Sequence, residues 1–105
     1  MIGLTNRSKL GVRCRVHKVD RVRNAVLDRK LDLLFVTTGN PRPALSGISR
    51  PGDNENSDSI IAVDINSRRI KWAFQEVKHD LWDFDISSGP MLSNITVGGR
   101  SYDVV

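Results

Sequence analysis

From residue 26 onward, apolar positions fall into short runs separated by turn-forming residues, a pattern that predicts strands. Val26–Leu27, a turn at Asp28-Arg29-Lys30 and the run Leu31–Thr38 predict a β-hairpin whose second strand is buried. Gly39-Asn40-Pro41 ends that strand, because Pro41 has no backbone N–H for a ladder. Ser59–Asp64 predicts the next strand and Asn66-Ser67-Arg68 its turn. Ile70–Val77 predicts a half-buried antiparallel strand, with Ile70, Trp72, Phe74 and Glu76 on one face and Lys71, Ala73 and Gln75 on the other. After a polar-aromatic segment, His79–Asp85, and a turn at Ser87–Pro90, Met91–Val97 and Arg100–Val105 predict a last hairpin. Gly98-Gly99 suits the positive dihedrals of its two-residue turn. The sequence closes within that strand, and an open edge of this kind argues for a fragment or for pairing with further strands.

Composition narrows the class. At 105 residues, 39% hydrophobic and 27% charged, the chain reads as one small globular unit or part of a larger one. No apolar run approaches the ~18–20 residues of a membrane helix, since Leu31–Val36 already contains Asp32. The first residues lack the apolar core of a secretory signal. Cys14 is the only cysteine, which excludes an internal disulfide or a cysteine metal cage.

The net charge of +4 is unevenly spread. Residues 1–30 hold nine Lys/Arg against Asp20 and Asp28, whereas the remainder is acidic on balance. Residues 1–25 are therefore set apart as a basic arm, and residues 26–105 as the folded unit. A basic arm suits nucleic acid or an anionic membrane. However, residues 1–34 contain no aromatic side chain to stack on bases, so no nucleic-acid partner is expected.

The connection from Pro41 to about Ser57 is rich in Pro, Gly, Ser, Asn and Asp. Structureless loops of ~15 residues are uncommon in compact domains unless they serve function. The motifs sit here and just beyond. Ala62-Val63-Asp64-Ile65-Asn66-Ser67-Arg68-Arg69-Ile70-Lys71-Trp72 resembles the tryptophan-docking motif of quinoprotein β-propellers, Ala-x-Asp-x-x-Thr-Gly-x-x-x-Trp, with Arg68 at the glycine position. Three further blocks, Thr38-Gly39-Asn40-Pro41, Arg50-Pro51-Gly52-Asp53-Asn54 and His79-Asp80-Leu81-Trp82-Asp83-Phe84-Asp85, follow in the order found in alcohol, methanol and membrane-bound sugar dehydrogenases that use pyrroloquinoline quinone (PQQ). The resemblance covers residues 26–105. It implies an all-β partial propeller, about two blades of an eight-bladed ring.

The resemblance also implies site chemistry. Asn40 is expected to give an amide oxygen to a metal ion, and Asp83 to act as the catalytic base close to that metal. A hard cation such as calcium takes six to eight oxygen ligands, which suits these residue types. In extended chain Asp83 and Asp85 would face the same way, ~6.5–7 Å apart, and two converging carboxylates repel unless a cation lies nearby. Asp85 matches an extra carboxylate ligand of lanthanide-using relatives, and also an aspartate common in sugar dehydrogenases; a metal ligand and a hydrogen-bonding support are both open to it. Loop bracing is expected of Asp53, with Arg50 as its ion-pair partner. Structural hydrogen bonds are expected of His79 and Asp80.

The function so implied is oxidation of an alcohol, sugar or polyol with PQQ and calcium or a lanthanide. Electrons would pass to ubiquinone or a cytochrome, on the periplasmic side. The remaining propeller blades would be partners, and the 105 residues alone are expected to be inactive. The rival class is a non-catalytic propeller scaffold, which would have no reason to retain Asn40 and Asp83 together.

Overall fold

The structure, a computed structural model, describes residues 22–105. The basic arm up to residue 21, with Cys14, lies outside the described residues. Six strands follow in order: β1 (Val22–Asp28), β2 (Leu33–Thr38), β3 (Ser59–Asp64), β4 (Arg69–Gln75), β5 (Ser93–Val97) and β6 (Arg100–Val104). β1 to β4 form an antiparallel meander in sequence order, and β5–β6 a separate hairpin. No helix occurs among the described residues, and so none there is long and apolar enough to cross a membrane. The fold is the all-strand, partial-propeller architecture that the motifs imply.

β2 and β3 are the centre of the sheet, and their short apolar runs are buried along most of their length. Cross-strand pairing sorts these onto two faces. Leu33, Phe35 and Ala62 cluster on one face, and Val36, Ile61 and Val63 on the other, joined by Leu34 and Ile70. Each buried Val, Leu, Ile or Phe among them contributes roughly 1.5–3 kcal/mol.

Strict alternation fails in β4. Ala62 pairs with Trp72, but the next residue, Val63, pairs with Ile70, so Lys71 is an extra, bulged residue. Ile70 therefore joins the Val36–Ile61–Val63 cluster, whereas Trp72 packs on Phe35 across the sheet, ring centroids 5.7 Å apart. The two residues predicted to share a face lie on opposite faces. β2 also starts two residues later than predicted, because Asp32 adopts a left-handed backbone (φ 53°) and the Asp28 carboxylate caps the turn through Lys30 N–H and Leu31 N–H. β4 stops at Gln75, whose side chain turns to the carbonyls of Asp53 and Asn54. The β5–β6 hairpin is tied to the β1–β2 turn by Lys30 and Asp103, 3.1 Å apart. Between the hairpin and the Leu33–Phe35–Trp72 face runs an open cleft of about 370 Å³.

Candidate functional site

Two connections at one end of the sheet, residues 39–58 and 76–92, build the candidate site. Their shared core is polar. Arg50, fully buried at 0% exposure, donates to the carbonyls of Pro43 (3.0 Å), Ala44 (2.6 Å) and Asp80, and to Asn54 Oδ1. Asn54 Nδ2 donates back to the Arg50 carbonyl at 2.8 Å. A guanidinium has donors only, so a cluster of inward-facing carbonyls is the environment it satisfies. Arg50 thus closes the loop on itself and ties it to the second connection. Its expected pairing with Asp53 is not formed; Asp53 meets Lys78 at 3.0 Å on the surface.

The second connection curls around Asp80. The buried Asp80 carboxylate accepts Trp82 N–H at 2.7 Å and Phe84 N–H at 2.6 Å. Bonds to residues two and four positions on bend the chain, and Asp83 sits in the bend with a left-handed φ of 61°. Asp83 and Asp85 are therefore not side by side on an extended strand. Asp83 is exposed, as are Trp82 (78%) and Phe84 (62%), whereas Asp85 is half-buried. His79 braces the first loop, its Nδ1 2.6 Å from the Gly52 carbonyl.

Asn40 joins the two connections. Its backbone N–H donates to Asp85 Oδ1 at 2.7 Å. Gly39 permits this approach, since a Cβ there would collide with the Asp85 carboxylate. The side-chain Nδ2 donates to the carbonyls of Ala44 and Asp80, both at 3.3 Å. A flipped amide would set oxygen against two carbonyl oxygens, so the amide orientation is forced. Asn40 Oδ1 is left buried without a hydrogen-bond donor, in a residue 5% exposed. An orphaned buried acceptor is costly unless something else satisfies it, and a hard cation is a fitting partner. Among the described residues, no three of His, Cys, Asp and Glu make a metal cage by themselves. A cation at Asn40 would therefore need oxygen ligands beyond the acidic residues described here.

One residue of this site was not singled out from the sequence. Asp58 lies fully buried just before β3, and both of its carboxylate oxygens lack donors. Burial first, then the charges of Asp80 and Asp85, push its carboxyl up from 3.8 to about 7, against the opposing pull of Ser57 and Arg50. The signal that finds it is register. Once Thr37 pairs with Ile60, Asp58 must fall beside Gly39, and its N–H does donate to the Gly39 carbonyl at 3.3 Å.

Comparison with known proteins identifies the family and the fold. The family model of the PQQ glucose/ethanol/alcohol dehydrogenase β-propeller domain matches residues 23–105. The quinoprotein glucose dehydrogenase of Escherichia coli (strain K12) is 37% identical over 82 residues, 77% of this chain and 10% of that protein. The lanthanide-dependent methanol dehydrogenase of Methylorubrum extorquens is 43% identical over 73 residues, 70% of this chain and 12% of that protein. Among solved structures, the quinohemoprotein alcohol dehydrogenase from Comamonas testosteroni superposes with a TM-score of 0.68 at 29% identity, covering 76% of this chain and 12% of that one. The four-stranded meander and its polar loop core are thus a piece of a quinoprotein propeller. The chain belongs to the family of PQQ-dependent alcohol and sugar dehydrogenases, and spans about a tenth of the length of the curated relatives it matches.

Proposed function

We propose that these residues form part of the active site of a PQQ- and metal-dependent dehydrogenase that oxidises an alcohol, sugar or polyol. The observation that carries this reading is Asn40 Oδ1: buried, forced in orientation and without a protein donor. Asn40 holds the cation through that oxygen, and Asp85, bonded to the Asn40 N–H, fixes the loop and adds negative charge beside it. Bound PQQ supplies the hydride acceptor, and the cation supplies Lewis acidity. Asp83 is the general base. Its exposed carboxylate, offered on the bend that Asp80 enforces, takes the substrate hydroxyl proton as the carbon–hydrogen bond breaks. Calcium or a lanthanide fits the oxygen donors, and ubiquinone or a cytochrome on the periplasmic side receives the electrons. The other blades supply the remaining cation ligands and the substrate pocket.

The reading is tested in two settings. The 105-residue chain, reconstituted with PQQ and calcium or lanthanum, is expected to give no dye reduction with alcohols or glucose. Residues 26–105 grafted over the corresponding blades of a complete quinoprotein dehydrogenase are expected to support turnover. In that chimera Asp83→Asn lowers kcat at least ~100-fold, and Asn40→Ala raises the cation concentration needed for half-activity. A chimera that turns over equally well with Asp83→Asn overturns the assignment.

A further inference from the structure

The proposed site makes no use of Asp58, although it is the most anomalous acid among the described residues. Its side chain is at 0% exposure and both oxygens lack donors. Neighbouring donors are directed elsewhere. The Ser57 hydroxyl donates to the Asn54 carbonyl at 2.6 Å, and the Ser59 hydroxyl to the Ser57 carbonyl at 2.5 Å. Arg50 gives its N–H groups to three carbonyls and to Asn54. An ionised carboxylate buried without a partner is among the costliest groups in a fold.

Its position supplies the missing partner. The Asp58 backbone N–H bonds the carbonyl of Gly39, the residue before Asn40. Its charge acts on Asp80 and Asp85, and these two hold Asn40 through the Asp80 carbonyl and the Asp85 carboxylate. Three unpartnered buried oxygens thus belong to this one loop core: Asn40 Oδ1 and both oxygens of Asp58. The remaining unpartnered atom, Thr37 Oγ1, belongs to a hydroxyl, which can rotate to donate. An ionised carboxylate has no proton to donate to an amide oxygen, and a cation satisfies the two together.

Building on the reading of Asn40 above, we infer that Asp58 is an anionic member of the cation site at Asn40, and that its charge tilts the site toward a trivalent over a divalent ion. Coulomb attraction is linear in the charge of the ion. Removing one negative charge therefore costs a trivalent ion about 1.5 times as much, in log affinity, as a divalent one. A purely structural role has no such dependence on ion charge.

The test uses the full 105-residue chain with each ion alone. Calcium and lanthanum are titrated against the thermal-unfolding midpoint, and terbium against luminescence sensitised by tryptophan. Expected for Asp58→Asn is a midpoint in chelator no lower than that of the unsubstituted chain. Its affinity should fall about tenfold for calcium and about thirtyfold for lanthanum and terbium. Asp58→Ser, which also removes the charge, should lose affinity in the same ratio, and it replaces Asp58→Asn if that variant does not fold. Unchanged binding of both ions by both variants, with binding still lost in Asn40→Ala, overturns the role of Asp58 alone. So does an equal loss for the two ion charges. No response of the unsubstituted chain to any of the ions overturns the cation reading of Asn40 as well.

Discussion

Strand β3 ends on Asp64 and is preceded directly by Asp58, and the fold treats the two aspartates in opposite ways. At the turn end, Asp64 Oδ1 accepts Asn66 N–H at 3.0 Å and Ser67 N–H at 2.7 Å, while its backbone carbonyl accepts Arg68 N–H. The Ser67 N–H and hydroxyl, helped by Asn66 and Lys71, hold this carboxyl below its ordinary value. At the loop end, Asp58 is buried with no donor, and its carboxyl is raised to about 7. Asp64 is satisfied by its own turn and needs nothing further. No donor is directed at the Asp58 oxygens, and only the weaker pull of Ser57 and Arg50 opposes the effect of burial. The buried oxygens of the loop end that cannot rotate to donate are left without donors, whereas the carboxylate at the turn end is fully bonded.

The largest way to break this contrast is to remove the hub of the loop end. Arg50→Met retains much of the side-chain volume but leaves the carbonyls of Pro43, Ala44 and Asp80 without this donor. A cost of about 3–5 kcal/mol is expected, read from the urea midpoint. Hydrogen exchange at Asp58 N–H should accelerate more than at the β2–β3 ladder, because the loop core opens first. Equal acceleration in both regions would show that the two ends are one cooperative unit.

The next largest effect is a pH dependence. Asp58 titrates at about 7 in the fold and near its ordinary value when unfolded, so between these the folded state binds more protons. In the absence of cation, its contribution to stability is full below pH ~4 and is lost as pH rises to ~7, a change of a few kcal/mol. The groups acting on it are Asp80, Asp85, Arg50 and Ser57. Asp58→Asn should flatten the midpoint-versus-pH curve across that window. A curve of the same slope in the variant would show that Asp58 is already neutralised within the chain.

Asp64 has the opposite sign. Its depressed carboxyl contributes stability above its unfolded value, and that stability is lost as pH falls through the folded one. Asp64→Ala should lower the unfolding midpoint at neutral pH by a few degrees, and the variant should be less sensitive to acid. Melting curves at pH 7 and at pH 3 check both.

The scaffold was legible in the sequence and the site only in part, for a physical reason. Leu33–Thr38 and Ser59–Asp64 are short β-branched runs bounded by turns, so their own residues determine their state. The bulge at Lys71 was not legible, because register is a property of two strands. It moved Ile70 to the face opposite Trp72. The family blocks pointed to Asn40, and the structure adds the reason its oxygen is unpartnered. The extended arrangement assumed for Asp83 and Asp85 failed because Asp80 binds the N–H groups of residues 82 and 84 and bends the segment. Asp58 was missed because Ser57-Asp58-Ser59 reads as an ordinary polar approach to a strand. Only pairing across the sheet shows that it lies beside Gly39.

The smallest effect sharpens the scaffold side of the comparison. Arg68 stands where the propeller motif has glycine, and it adopts a left-handed backbone, φ 58°. A side chain in that region costs roughly 1–2 kcal/mol relative to glycine, whereas glycine loses more backbone freedom on folding by about 0.5–1 kcal/mol. The balance favours Arg68→Gly by roughly 0.5–1 kcal/mol, a gain of a few degrees in the midpoint. Asp64 should keep its bonds to Asn66 and Ser67, since they depend on the turn backbone and not on the Arg68 side chain. Arg68→Ala separates the two contributions, because it retains the Cβ in the left-handed region and removes only the guanidinium. If Arg68→Ala gains as much as Arg68→Gly, the strain lies in the side chain's surroundings and the left-handed backbone is not its source.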